Sequence, residues 1–215
     1  MAIFALSDAL YFPPVHLVEK DGLLAVGGDL SPERLLLAYS SGIFPWYEHP
    51  PVLWWCPDPR FVLFPGEFKR SKTVRSLLNR NAFDFTVNRD FEGVIRQCRH
   101  VKRVDQDGTW ITDEVVTAYC NLHRMGYAHS AEVWQNGMLV GGLYGIRLGG
   151  VFFGESMFSL VSNASRYAFT KYVELLQEEQ VQLIDCQIYS EYLESMGARM
   201  IEGKQFAALL KQYNP

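Results

Sequence analysis

Ala131-Glu132-Val133-Trp134-Gln135-Asn136-Gly137-Met138 is the stretch on which the fold turns. Ala131 to Trp134 reads as a strand. Asn136-Gly137 is the strongest hairpin signal in the chain, because a two-residue hairpin needs positive φ at both central positions and Asn and Gly tolerate it. The partner strand runs from Met138 through Ile146. Leu148-Gly149-Gly150 then turns into a third apolar run, Val151-Phe152-Phe153-Gly154-Glu155-Ser156-Met157-Phe158. Downstream come a helix from Asn163 to Glu179, a further strand in Val181-Gln182-Leu183-Ile184-Asp185-Cys186-Gln187-Ile188, and two short helices near 191–196 and 204–213. Upstream lie a helix from Ser71 to Asn79, a strand from Phe83 to Val87, a helix from Asp90 to Cys98, and one capped by Thr112. In that last helix the apolar positions 115, 116, 119 and 122 share one face, and Gly126 ends it. A meander, a helix and a returning strand define an α+β chain with helices flanking one sheet.

The first 60 or so residues are rich in turn signals. Ser31 caps a helix with Pro32 at its first position, Glu33 in its first turn and Gly42 just past its end. Pro57-Asp58-Pro59 is a natural boundary. The expected division is a small α/β domain over residues 1–61 and a larger domain over 62–215.

Glu155 and Asp185 each interrupt a run that reads as a buried strand, and burying a charge is costly unless something pairs with it. Two explanations stand side by side: a structural ion pair, or an acidic subsite that awaits a cationic ligand. Charge is also segregated. Residues 66–103 carry ten Lys/Arg against four Asp/Glu, whereas the whole chain has 20 and 24. Such a band suits a small, local docking face for a polyanion, with Lys72, Arg75 and Arg80 among its cations.

The four cysteines are scattered, with no zinc-ligand spacing, so free thiols and no metal are expected. No run approaches the roughly 20 apolar residues of a membrane helix. The first residues lack the basic region of a signal peptide, so a cytoplasmic protein without membrane contact is expected. Ser156 stands in an elbow-like Gly154-Glu155-Ser156, but the second Gly is missing and every His precedes it, which excludes the Ser–acid–His order of a hydrolase. No Walker loop, Rossmann turn or pyrophosphate-binding turn for CoA is present, and no cofactor is expected. Trp46 and Trp110 sit in loops flanked by Gly and Pro, where an indole serves as a stacking platform for a base.

Seven strings carry a family likeness: Gly22 to Pro32, Gly42 to Trp46, Trp54 to Arg60, Gly108 to Thr112, Ala128 to Trp134, Phe153 to Ser159 and Ile184 to Gln187. Together they resemble the leucyl/phenylalanyl-tRNA–protein transferase family, over about residues 10–197. The likeness implies a small N-terminal domain and an acetyltransferase-like catalytic domain that uses no acetyl-CoA. It implies transfer of Leu or Phe, and less readily Met, from aminoacyl-tRNA to a protein beginning with Arg or Lys, which makes a bacterial N-degron. Asp185 and Gln187 would be the catalytic pair, placed on one face by their i, i+2 spacing on a strand. Glu155 would bind the acceptor's cationic side chain. Leu143, Met157, Phe169 and Ile184 would hold the transferred side chain, and Trp46 and Trp110 the terminal adenosine. Lys72, Arg75 and Arg80 would touch acceptor-stem phosphates, and the protein would act as a monomer.

Family members often carry His where this chain has Tyr192, and Glu202 to Phe206 matches poorly. Other readings are a tRNA-dependent transferase with a peptidoglycan precursor as acceptor, and a non-catalytic binder of tRNA ends or degrons. The second would keep the pockets but lose Asp185 and Gln187, which are present.

Overall fold

The computed structural model describes residues 3–101 and 109–214. Lys102, Arg103 and Gly108, which belong to the basic band and to one family string, lie outside the described residues. The N-terminal part contains β1 (Phe4–Leu6), β2 (Leu23–Gly27), α1 (Pro32–Ser40), β3 (Phe44–Pro45) and β4 (Leu53–Trp55). The rest follows as β5 (Arg60–Leu63), α2 (Lys72–Asn79), β6 (Asp84–Val87), α3 (Phe91–His100), α4 (Asp113–Arg124), β7 (Ala128–Gln135), β8 (Met138–Leu148), β9 (Val151–Ser159), α5 (Ala164–Glu178), β10 (Leu183–Gln187), α6 (Glu191–Glu194), β11 (Arg199–Ile201) and α7 (Gly203–Tyr213).

The strands form two sheets, a 4-stranded one ordered β1-β2-β4-β3 and a 7-stranded one ordered β11-β5-β10-β9-β8-β7-β6. The chain is thus α+β, as its element order indicated. In the larger sheet only β9 and β10 pair in parallel. α5 is the crossover between them and packs on β7, β8 and β9. β5 reaches back from the N-terminal part to pair with both β10 and β11. The residue-61 boundary therefore falls inside a strand of the larger sheet. One apolar core runs on from Leu35, Phe44 and Trp54 near the smaller sheet to Val62, Phe153 and Leu183 in the larger.

Local signals act as their chemistry dictates. Ser31 Oγ accepts the Arg34 N–H and Thr112 Oγ1 accepts the Val115 N–H, each meeting an orphan donor of a first helical turn. Asn136 and Gly137 take φ of 52° and 75°, the hairpin turn that the pair encodes. The strands exceed the expected spans, with β7 starting at Ala128 and β8 ending at Leu148, while α6 covers only the start of the expected 191–196 helix. Gly42 does more than stop α1: at its φ of 76°, an added Cβ would stand 2.8 Å from the Phe206 ring. Glycine there lets α7 dock against the end of α1, with the Gly203 N–H bound to Asp58 Oδ1 at 2.8 Å.

Candidate active site

β9 and β10 pair only over Val151–Phe153 and Leu183–Asp185. Beyond Phe153, β9 stays paired with β8 as far as Ser159, while β10 ends at Gln187. The two strands part, and a cleft opens between them. Both are bulged at its mouth. Gly154 faces Gly145 and Ser156 faces Tyr144, so Glu155 is the extra residue on β9. Asp185 faces Val62 and Gln187 faces Phe61, so Cys186 is the extra residue on β10. A bulge re-aims the side chains around it. Simple alternation does not place Asp185 and Gln187 here: the bulge intervenes, Gln187 has a φ of 64°, and the two side chains take different partners although both line the cleft.

Asp185 is fully buried and forms a fork-on-fork pair with Arg60, Nε to Oδ1 at 2.8 Å and Nη2 to Oδ2 at 2.6 Å. The Arg60 guanidinium lies between two rings, 4.8 Å from the Phe44 centroid and 4.7 Å from that of Phe206. Burial works against the Arg60 charge, but the Asp185 carboxylate and its hydrogen bonds outweigh it and hold the guanidinium above its ordinary pKa. Asp185 Oδ1 also accepts the Gln187 backbone N–H at 2.9 Å. For Asp185 the structural ion pair is the answer.

Among the described residues, Glu155 has no cation as a hydrogen-bond partner. Oε1 accepts from Tyr39 Oη at 2.7 Å and from Gln187 Nε2 at 2.8 Å, and Oε2 accepts from Tyr119 Oη at 3.2 Å. The two phenols also touch each other. Burial pushes the Glu155 carboxyl up to about 7; the hydrogen bonds from Tyr39, Tyr119 and Gln187 pull it back, and the charge of Asp185 raises it further. Burial keeps the neighbouring Cys186 thiol well above its usual range, hence protonated and a weak nucleophile.

The cleft is a cavity of about 360 Å³, and Trp46, Trp110, Leu143, Glu155, Met157, Phe169, Ile184, Asp185 and Gln187 all line it. Leu143 and Met157 face each other across β8 and β9. Phe169 comes from α5 and Ile184 from β10, which makes one side of the cavity an apolar slot. Trp46 is held by Trp55, whose indole N–H donates to the Trp46 carbonyl at 2.7 Å. Trp110 is only 7% exposed. Tyr192 lines the cavity too, under the Arg166 guanidinium at 4.9 Å.

Lys72, Arg75 and Arg80 are exposed on and just after α2, away from this cavity. Arg75 joins Lys69 and Arg70 around a second, basic hollow. An edge-on contact between Phe68 and Phe169, 6.0 Å between centroids, links that basic segment to the apolar slot. Among the described residues no group of three or more His, Cys, Asp or Glu could hold a metal ion. None of their helices is long and apolar enough to cross a membrane.

Three residues that contact Glu155 or Asp185 carry no expected role from the sequence: Arg60, Tyr39 and Tyr119. Each left a signal. A buried Asp185 demands a cation, and Arg60 directly follows the Pro-Asp-Pro turn. Tyr119 sits on the apolar face of its helix and Tyr39 in the apolar run of α1, and a buried phenol has to find a partner.

The model of the "Leucyl/phenylalanyl-tRNA protein transferase N-terminal domain" matches residues 28–58, and that of "Leucyl/phenylalanyl-tRNA protein transferase" matches 62–211. A leucyl/phenylalanyl-tRNA–protein transferase of Syntrophobacter fumaroxidans is 56% identical over 216 residues, covering 100% of this chain and 92% of its own length. One of Flavobacterium johnsoniae is 53% identical, covering 97% of this chain and 99% of its own length. Among solved structures, L-PGS from Bacillus licheniformis aligns at a TM-score of 0.44 and 13% identity, over 76% of this chain and 55% of that one. With both family models matched in order and half the residues shared along the full chain, this protein belongs to the leucyl/phenylalanyl-tRNA–protein transferase family of tRNA-dependent aminoacyltransferases.

Proposed function

We propose that the enzyme moves Leu or Phe, and less readily Met, from aminoacyl-tRNA to the α-amine of proteins that begin with Arg or Lys, and so creates an N-degron. One observation carries this reading: Glu155, a carboxyl group bonded among the described residues only to neutral donors, shares a single cavity with an apolar slot, a Gln amide and two indoles. The slot takes the transferred side chain, and the flexible Met157 suits both branched Leu and flat Phe. The two indoles wall in the terminal adenosine. Glu155 receives the cationic side chain of the acceptor. Lys72, Arg75 and Arg80 meet acceptor-stem phosphates without reading bases. The enzyme works as a monomer in the cytoplasm, where charged tRNA is made, and its two family segments act as one body.

The chemistry is aminolysis of an ester. The α-amine, with a reference pKa of about 7.7–8.0, is already partly neutral near pH 7. Its nitrogen bonds to the ester carbonyl carbon, the bond to the ribose oxygen breaks, and an amine proton ends on that oxygen. The products are an amide and uncharged tRNA. The ester is activated beforehand, so alignment supplies much of the acceleration. With Nε2 engaged by Glu155, the Gln187 carbonyl oxygen is left to accept a hydrogen bond from the attacking amine. Asp185 acts one step back: held by Arg60, it fixes the Gln187 backbone.

Incubation with labelled Leu-tRNA and peptides beginning Arg, Lys or Ala tests this reading. Label is expected on the first two only. Equal labelling of all three, or of none, removes the proposed acceptor.

A further inference from the structure

The oxygens around Glu155 can be counted against their protons. Three contacts close a ring: Tyr39 Oη to Glu155 Oε1 at 2.7 Å, Tyr119 Oη to Glu155 Oε2 at 3.2 Å, and Tyr39 Oη to Tyr119 Oη. Each contact needs one hydrogen, and the phenols hold two. The Gln187 amide donates to Oε1 from outside the ring and adds none to it. Ionising a phenol would worsen the shortage, and burial holds both far above their ordinary pKa. With Glu155 ionised, one contact brings two lone-pair oxygens together without a proton. A proton on Glu155 completes the ring: Glu155 Oε2–H donates to Tyr119, Tyr119 to Tyr39, and Tyr39 to Glu155 Oε1.

The surroundings favour the same state. Tyr39 faces Glu155 from α1, Tyr119 from α4, and Asp185 and Gln187 from β10; Tyr144 of β8 lines the same cavity, and Arg60 of β5 lies behind Asp185. Among the described residues Arg60 is the nearby cation, and Asp185 already takes it in both prongs. A second carboxylate beside that pair would carry an unbalanced charge. The direction in which the Glu155 carboxyl is moved agrees.

We infer that Glu155, closed into a hydrogen-bonded ring with Tyr39 and Tyr119, is a neutral acid in the substrate-free enzyme, and that it yields this proton to solvent when the acceptor's cationic side chain docks. Recognition is then an exchange of a proton for a guanidinium or ammonium charge. Tyr39 and Tyr119 are positioning residues in that exchange. The inference rests on the reading of Glu155 as the acceptor subsite. Its signature is an affinity for cationic peptides that levels above pH 7 and falls about tenfold per unit below it.

The test uses the carboxyl carbon resonances of ¹³C-Glu-labelled enzyme, with Glu155→Gln to assign the one of interest. Without peptide, the Glu155 signal is expected to titrate with a midpoint near 7. At pH 6 a peptide beginning Arg should move it to the ionised position, and calorimetry in two buffers of different ionisation heat should register about nine-tenths of a proton released. A peptide beginning citrulline keeps the α-amine but lacks the charge, and should leave the signal protonated. The Tyr39→Phe, Tyr119→Phe double variant removes two donors from the carboxylate and should raise the midpoint by about a unit or more. A Glu155 carboxyl already ionised at pH 5.5 without peptide overturns the inference whatever the peptides do. A midpoint near 7 with no response to bound Arg peptide overturns the exchange and the acceptor reading together. An unmoved midpoint in the folded double variant takes the phenols out of it.

Discussion

Two carboxyl groups face one cleft and are stabilised in opposite ways. Asp185 meets a fixed guanidinium in both prongs, is fully buried, and passes its remaining lone-pair capacity to the Gln187 backbone. Glu155 meets two phenols and an amide, all neutral, and its carboxyl is pushed up to about 7 by burial. The first arrangement is closed, because every charge in it is answered from within the chain. The second is open, because among the described residues only neutral groups bond to it. Strand position does not separate them, since each lies beside a bulged residue or is one. What separates them is what stands opposite: β5 offers Arg60, whereas α1 and α4 offer hydroxyls.

The largest effect should come from breaking the closed pair. Arg60→Met leaves Asp185 buried without its cation, at a cost of about 3–5 kcal/mol, because an uncompensated buried charge is far worse than a neutral replacement of both partners. Denaturant unfolding checks this. Arg60→Met combined with Asp185→Leu should recover most of that loss without restoring transfer, since the Gln187 backbone is then unsupported. A single Arg60→Met variant that unfolds like the parent would show the pair to be dispensable.

Gln187→Ala tests the bridge between the two regions. It removes one donor from Glu155 and the acceptor proposed for the attacking amine. Single-turnover transfer at saturating acceptor is expected to fall about 10²–10³-fold, the range seen when one preorganised polar group is lost from a reacting centre. The midpoint of unfolding should move little, because Gln187 is half-buried at the cavity mouth.

Glu155→Gln opens the comparison from the other side. Use of Arg and Lys peptides, as kcat/KM, should drop about 10–100-fold while Leu-tRNA binding holds. The same variant has a stability signature whose sign is fixed. The folded pKa of about 7 lies above the unfolded value near 4.5, so between those limits the native state binds more protons than the unfolded one. Stability contributed by Glu155 is therefore full below about pH 4.5 and is lost as pH rises through 7, up to about 3 kcal/mol by linkage. Glu155→Gln should flatten that slope and gain on the parent between pH 5 and 8, as measured by urea titrations across that range. Parallel stability curves for the two proteins would refute a raised folded pKa.

The local half of this structure is readable in the chain. Asn136-Gly137 fixes the meander, and Ser31 and Thr112 cap helices with side chains three residues from the amides they satisfy. Glu155 and Asp185 announce themselves as charges in greasy strands. Which residues gather around them is not local. Arg60 lies 125 residues from Asp185, and Tyr39 lies 116 from Glu155. The bulges at Glu155 and Cys186 exist only relative to partner strands, so alternation along one strand is silent about them. β11 is another case, three residues made a strand by the β5 edge they meet. Phe206 belongs to a segment expected to match the family poorly, yet the family model spans it, and its ring covers the Arg60 guanidinium because Gly42 leaves room for it.

The smallest effects belong to charges that are neither closed nor open in this sense. Lys72, Arg75 and Arg80 are exposed, so bulk water and salt screen them. Each change to Ala should weaken aminoacyl-tRNA binding only severalfold and lower the slope of log affinity against log salt by about one. Binding of a short aminoacylated 3′-end analogue, which never reaches α2, should be unchanged by the substitutions and nearly insensitive to salt. Filter binding at two salt concentrations separates the cases. If the short analogue loses affinity as steeply as full tRNA, the salt-dependent contacts lie inside the cleft, and Glu155 and Asp185 would then have to be regarded as one electrostatic unit with the basic helix rather than as two regions apart from it.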